Sequence, residues 1–348
     1  MSSQAVRFGM VGAGSIAQSY AQAFATCQDA RLVAVADIRV GAAHTLAEAC
    51  GCASYESYER MAAEVEMDAV VICTPPVTHA PISLHFLERK IHVLCEKPLS
   101  LDIPSAQAML EAAIQAGVRL TMASKYRYVE DVIRAKTIVD SGVVGEIILF
   151  ENAFTSRVDM SARWNADPKV SGGGVLIDNG AHSVDIMRYF LGPLDAVQVI
   201  EGKRVQGLPV EDTVRIFVRS VGGVMGSIDL SWSINKELDS YINIYGSRGT
   251  IAVGWKESKY RQSSNRDWVV FGKGYDKVQA FRSQIDNFAR AILGREMLLI
   301  TAKDALASVE VIEAAYHALG QDHWVSVNRE PAADWRSNGH LAATAVRT

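Results

Sequence analysis

The chain has 348 residues, 49% hydrophobic and 21% charged, with a formal net charge of -4. That length favours two domains over one compact core, and the composition excludes a disordered, collagenous or membrane-spanning chain. With no basic surplus, nucleic acid and anionic membranes are excluded as main partners.

Residues 5–124 alternate short apolar runs with helix-like stretches, the pattern of βαβ units building a parallel sheet. Strands are predicted at 6–11, 32–37, 69–73, 92–95 and 120–123, nearly continuous in apolar residues, as strands covered on both faces are. Helices are predicted between them, at 16–27, 41–49, 79–90 and 103–116. All five cysteines fall in this first third without metal-type spacing, which points to reduced thiols. No apolar run approaches the roughly 18 residues of a spanning helix. The polar opening lacks a basic leader, so a cytoplasmic protein with no membrane partner is expected.

The first strand runs into Gly12, Ala13, Gly14, Ser15, Ile16 and Ala17 and then a helix, a dinucleotide fingerprint with alanine in the third glycine position. Gly12 permits the turn, and Gly14, Ser15 and Ile16 open the helix whose free N–H groups would meet a pyrophosphate. Twenty residues past Ala17 stands Asp37, placed to bind the adenosine ribose hydroxyls and to repel a 2′-phosphate. NAD is therefore the expected cofactor. Arg39 keeps NADP possible, because its guanidinium could meet that phosphate or stack on adenine. The competing reading makes the glycines a plain turn and Asp37 a helix cap; the strand, helix and acid together favour the nucleotide.

The strand at 92–95 ends in Glu96, Lys97 and Pro98, at the carboxyl edge where open α/β sheets bind ligands. After Gly145 the texture changes to strand-like segments at 146–156, 196–205, 213–219, 226–233 and 241–245. Helix-like segments lie at 174–190, 278–293 and 302–319. A second, α+β domain with a mainly antiparallel open sheet is predicted over 125–327, following a Rossmann domain over 1–124, with a tail or arm at 328–348. In the strand at 226–233, alternation puts Ile228, Leu230 and Trp232 on one side, read as an outward apolar face that a dimer or tetramer would cover.

Gly172, Gly173 and Gly174 lead into a helix bearing Asp178 and His182 four residues apart, one turn apart on one face, with Asp185 three further along. Imidazole suits proton transfer near neutral pH, and a lysine ammonium stabilises oxygen charge. His182 is thus the predicted base and Lys97 its electrostatic partner. Asp178 would orient either, and Asp185 would set the histidine tautomer or hold the helix. A metal at His182, Asp178 and Asp185 fits the spacing but lacks a convincing further ligand, so none is expected. Tyr126, Arg127, Arg163, Trp164, Asn165 and Asn179 are candidate substrate contacts, beside Lys97, Asp178 and His182. Arg127 has an interdomain ion pair as its alternative.

The fingerprint, the Glu96-Lys97-Pro98 tripeptide and the Gly-Gly-Gly, Asp178, Gly180, His182, Asp185 signature resemble the glucose-fructose oxidoreductase/inositol dehydrogenase (Gfo/Idh/MocA) family. Also similar are Thr74-Pro75-Pro76 with His79, Tyr126-Arg127-Tyr128, and the turn at 245–250. The resemblance covers residues 5 to about 325 and implies an NAD(P)-dependent dehydrogenase of a sugar, cyclitol or sugar derivative. It implies Lys97 and His182 as the chemical pair, assisted by Asp178. Thr74, Pro75, His79, Glu96 and Lys97 are candidate cofactor contacts, although His79 fits a local cap equally. Two other activities stay open: glycoside cleavage assisted by transient oxidation, and dinucleotide sensing without turnover.

Overall fold

The computed structural model describes residues 5–265 and 267–327, so the expected tail or arm at 328–348 lies outside the described residues. In chain order come β1 (Val6–Val11), α1 (Ser15–Phe24), β2 (Ala30–Ala36), α2 (Val40–Cys50), β3 (Ala53–Tyr55), α3 (Tyr58–Glu64), β4 (Ala69–Ile72), α4 (His79–Leu87), β5 (His92–Glu96), α5 (Ile103–Ala116) and β6 (Leu120–Ala123). The strands form one parallel sheet in the order β3-β2-β1-β4-β5-β6. Strand order reverses between β1 and β4, which opens a crevice at their carboxyl ends. Val70, Val71 and Ile72 of β4 are fully buried, as expected of a strand with helices on both faces.

The second half continues with α6 (Glu130–Asp140), β7 (Ile147–Thr155), α7 (Pro168–Ser171), α8 (Val175–Leu191), β8 (Leu194–Glu201), β9 (Thr213–Ser220), β10 (Met225–Ser231), β11 (Ser240–Gly246), β12 (Gly249–Gly254), β13 (Ser258–Gln262), β14 (Val269–Gly272), α9 (Lys277–Ile292), α10 (Ala302–Ala318) and β15 (Val325–Ser326). Nine of these are strands of one sheet, ordered β14-β13-β12-β11-β7-β10-β9-β8-β15. It is antiparallel except where β10 runs parallel to β7. The sequence did not announce β3, α3, α6 or the strands from β12 onward. β3 has three residues and β13 reads Ser-Lys-Tyr-Arg-Gln, too short or too polar for a periodic signal.

Two packing outcomes depart from the sequence reading. Helix α9 lies in the stretch assigned to the second domain, yet its Phe281, Ile285 and Phe288 are fully buried in the nucleotide-side core with Phe8, Tyr20 and Leu46. Ile228, Leu230 and Trp232 do not face outward. They are 0%, 1% and 3% exposed, and Leu230 packs against α8 at Gly180. Alternation identifies two faces without saying which one the helices cover. The opposite face, which no helix of the described residues covers, carries Ile200, Met225 and Tyr245, mixed with the Arg215–Asp229–Lys236 ion pairs.

Candidate active site

At the crevice, Gly12 has φ +97°, and a Cβ there would lie 2.8 Å from the Cys73 carbonyl oxygen and 3.1 Å from the Thr74 nitrogen. Glycine therefore lets the first loop touch the end of β4. Helix α1 begins at Ser15 with Gly14 as N-cap and no side-chain cap hydrogen bond, and a Cβ on Gly14 would meet nothing within 4 Å. Uncapped amides facing open space fit a dinucleotide pyrophosphate. Asp37 follows β2, and its carboxylate accepts hydrogen bonds from the Ala13 and Arg39 N–H groups, each at 2.7 Å. Burial opposes its charge, but these amides and the Arg39 guanidinium hold it below the ordinary aspartate value. Ile38 beside it is 92% exposed, an apolar surface the sequence reading passed over.

The catalytic candidates come from different elements. Lys97 follows β5, in a cis peptide with Pro98, while Asp178 and His182 project from the first two turns of α8. Lys97 Nζ donates to Asp178 Oδ1 at 2.5 Å and to the Asp178 carbonyl at 3.0 Å. An ammonium has three N–H donors, so one remains for a ligand oxygen. His182 is 7% exposed, and its Nδ1 is buried without a hydrogen-bond partner. Burial first, then the charges of Lys97 and Lys125, hold its pKa well below the ordinary histidine value. The imidazole is accordingly neutral at neutral pH, able to accept a proton. Among the described residues no cluster of three metal-ligating side chains converges.

Helix α8 is fixed by a buried carboxylate. Glu211 Oε1 accepts from the Gly174 N–H at 2.9 Å, the Leu176 N–H at 3.1 Å and the Tyr316 hydroxyl at 2.8 Å. A Cβ on Gly174 would come within 2.0 Å of the Glu211 carbonyl oxygen, which explains a glycine there. Nothing in the local sequence marks Glu211, because the groups it serves lie 35 and more residues away.

Other predicted contacts are placed differently. Asp185 does not hold His182: it is fully buried and pairs with Arg127 through Nε–Oδ2 at 2.9 Å and Nη2–Oδ1 at 2.7 Å. Arg127, itself 4% exposed, is thereby used in an internal ion pair rather than offered to substrate. His79 is also committed, its Nδ1 2.7 Å from the Pro98 carbonyl and its Nε2 2.8 Å from the Thr74 carbonyl. It ties the Thr74–Pro75 loop to the Lys97 loop instead of presenting a nitrogen to the cofactor. Glu96 is 7% exposed and accepts from the Tyr20 hydroxyl at 2.9 Å and the Lys97 N–H at 3.2 Å. Gln284 of α9 donates to the same hydroxyl at 2.9 Å.

Tyr126 does reach the site, its ring 5.0 Å from His182 in an edge-on contact and stacked 5.3 Å from Tyr275. Tyr275 in turn meets Trp255 at 5.7 Å, giving an aromatic wall in which Tyr126 alone was foreseen. Asn179 is half-buried beside Asp178, whereas Arg163 and Trp164 are exposed and Asn165 half-buried on the loop before α7. Lys125, one residue before Tyr126, was overlooked although it lies just past the carboxyl end of β6.

Comparison with known proteins agrees with this architecture. Residues 6–124 match the GFO/IDH/MocA oxidoreductase family with its NAD-binding Rossmann fold, and residues 132–252 match the GFO/IDH/MocA C-terminal domain. Inositol 2-dehydrogenase of Rhizobium meliloti is 29% identical over 92% of this chain and 99% of its own. Inositol 2-dehydrogenase of Rubrobacter xylanophilus is 30% identical over 72% of each chain. Levoglucosan dehydrogenase in complex with NADH shares the fold with a TM-score of 0.86 at 20% identity, covering 94% of this chain and 100% of the other. The chain belongs to the GFO/IDH/MocA oxidoreductase family, as an NAD(P)-dependent dehydrogenase.

Proposed function

We propose that the enzyme oxidises a secondary alcohol or hemiacetal carbon of a sugar, inositol or sugar derivative. The observation that carries this is Lys97 held on Asp178 beside the neutral His182, at the sheet edge that carries the nucleotide cradle. NAD bound at Gly12–Ile16 and Asp37 supplies the hydride acceptor. His182 takes the proton of the reacting hydroxyl, and the remaining N–H of Lys97 stabilises the oxygen as charge develops. Asp178 keeps the ammonium in place, while Tyr126, Tyr275 and Trp255 offer flat apolar surface to the C–H faces of a polyol. The experiment is an NAD-reduction screen across aldoses, inositols, uronic acids and nucleotide sugars. Absence of NADH formation with every class would overturn the reading.

Cofactor preference follows from Asp37. Arg39 lies 3.3 Å from each carboxylate oxygen, so the pair presents an acid to the ribose and neutralises the guanidinium. Asp37→Ala is expected to shift the kcat/KM ratio towards NADP by about tenfold or more, equivalent to roughly 1.4 kcal/mol. A wild-type enzyme tenfold better with NADP would contradict the assignment.

We also propose a homodimer or homotetramer joined through the face of the nine-stranded sheet that no helix of the described residues covers. Ile200, Met225 and Tyr245 there are 54%, 60% and 37% exposed, a spread of apolar surface suited to a second copy. Light scattering at micromolar concentration should give a multiple of the 37.9 kDa chain; a single-chain mass would refute it.

A further inference from the structure

Lys125 opens the short turn Lys125–Tyr128 that follows β6. Its Nζ lies 5.3 Å from the ring centre of Tyr126 and 5.5 Å from that of Phe281, and the Tyr126 ring is the one packed edge-on against His182. The ammonium thus lies one aromatic ring from His182, whose pKa its charge helps to depress. Among the described residues it makes no hydrogen bond or ion pair. The two acids nearest to it are already engaged, Glu96 by Tyr20 and the Lys97 N–H, and Asp178 by Lys97.

Three cations, Lys97, Lys125 and Lys277, therefore gather around two carboxylates, Asp178 bonded to the Lys97 ammonium and Glu96 bonded to neutral donors. Lys277, the opening residue of α9, supplies the third of these positive charges. Burial opposes the Lys125 charge, Glu96 and Asp178 support it, and Lys97 and Lys277 oppose it again; the result is a pKa pushed down to about 8. Two carboxylates offset two of the three positive charges, which leaves one uncompensated, and Lys125 is the half-buried ammonium without an acceptor of its own among the described residues. A substrate hydroxyl would give it a hydrogen bond but leave the charge uncompensated.

We propose that Lys125 selects an anionic substrate, taking the carboxylate or phosphate substituent of a polyol whose carbinol is presented to His182 and Lys97. This rests on the dehydrogenase reading given above and narrows it. A lysine suits the role as a compact point charge that does not demand the planar, two-point geometry of a guanidinium.

The test uses matched pairs, glucose against glucuronate and glucose against glucose 6-phosphate, with the full-length wild type, Lys125→Met and Lys125→Arg. In the wild type, kcat/KM is expected to be at least about tenfold higher for an anionic member than for its neutral partner. Lys125→Met should collapse that ratio about tenfold and Lys125→Arg should keep most of it. The uronate and phosphate arms decide which anion is taken. A wild type that prefers the neutral member of both pairs, or a Lys125→Met variant that loses equally on both members, overturns the proposal. Should no member of this panel reduce NAD, the oxidation reading is judged by the wider screen described above, and Lys125 is read by binding instead. The NADH-loaded protein is then titrated with glucuronate and glucose 6-phosphate, followed by nucleotide fluorescence. Binding of either anion that is lost in Lys125→Met supports the proposal; no binding, or equal binding by both proteins, overturns it.

Discussion

Replacing His182 with alanine is expected to lower kcat by at least about a hundredfold, the usual scale for a general acid–base group. Lys97→Ala should lose a comparable amount, because the developing oxygen charge would face no fixed cation. NAD affinity should change little in the His182 variant, since the glycine loop joins β1 to α1 and Asp37 follows β2, all away from α8. The pH profile supplies a second readout. A base works while unprotonated, and burial together with Lys97 and Lys125 depresses the His182 pKa. The acidic limb assigned to His182 should therefore fall below pH 6.5, the unperturbed value for histidine, and vanish in the alanine variant. Near-normal turnover in both variants would remove the proton-transfer mechanism.

Arg127→Met is expected to destabilise the fold by about 3–5 kcal/mol, because it leaves the Asp185 carboxylate charged and unpaired in the interior. The pair joins the turn after β6 to the middle of α8, with side-chain exposures of 5% and 0%. Thermal or urea unfolding should show a marked loss of stability, and the double variant Arg127→Met/Asp185→Leu should recover much of it, since replacing both charges removes the unpaired group. Substrate KM should move far less than stability. A variant that melts like the wild type but has a KM raised about tenfold would return Arg127 to the substrate-binding role that its sequence position suggests.

Each of those two expectations turns on one residue of α8, His182 in the first and Asp185 in the second, and they show how unevenly the site could be read in advance. Asp178 and His182 were legible because helical periodicity alone puts them on one face, and Asp185 shares that stripe. Which side chain Asp185 would meet was not legible. Its partner, Arg127, is 58 residues away, and only the docking of α8 against the turn after β6 decides between it and His182. The same limit hid Lys125, whose importance comes from Phe281 of α9 and from the neighbouring charges, none of them close in sequence.

Sequence alone determined the features whose geometry is local. The parallel βαβ pattern follows from short apolar runs, the nucleotide loop from Gly12 and Gly14 between a strand and a helix, the ribose acid from the end of the next strand, and Lys97 from the end of β5. Tertiary structure decided the rest. Period-two alternation along β10 and into Trp232 just after it separated Ile228, Leu230 and Trp232 from Ser227 and Asp229, but burial under α8 determined which set became core. The helical pattern of α9 was visible, whereas its return to the nucleotide-side core depended on Phe281, Ile285 and Phe288 finding apolar surface on α1 and β1. Hydrophobic burial is non-directional and rewards any apolar surface removed from water, so a sequence states what must be buried while only the assembled chain settles against what.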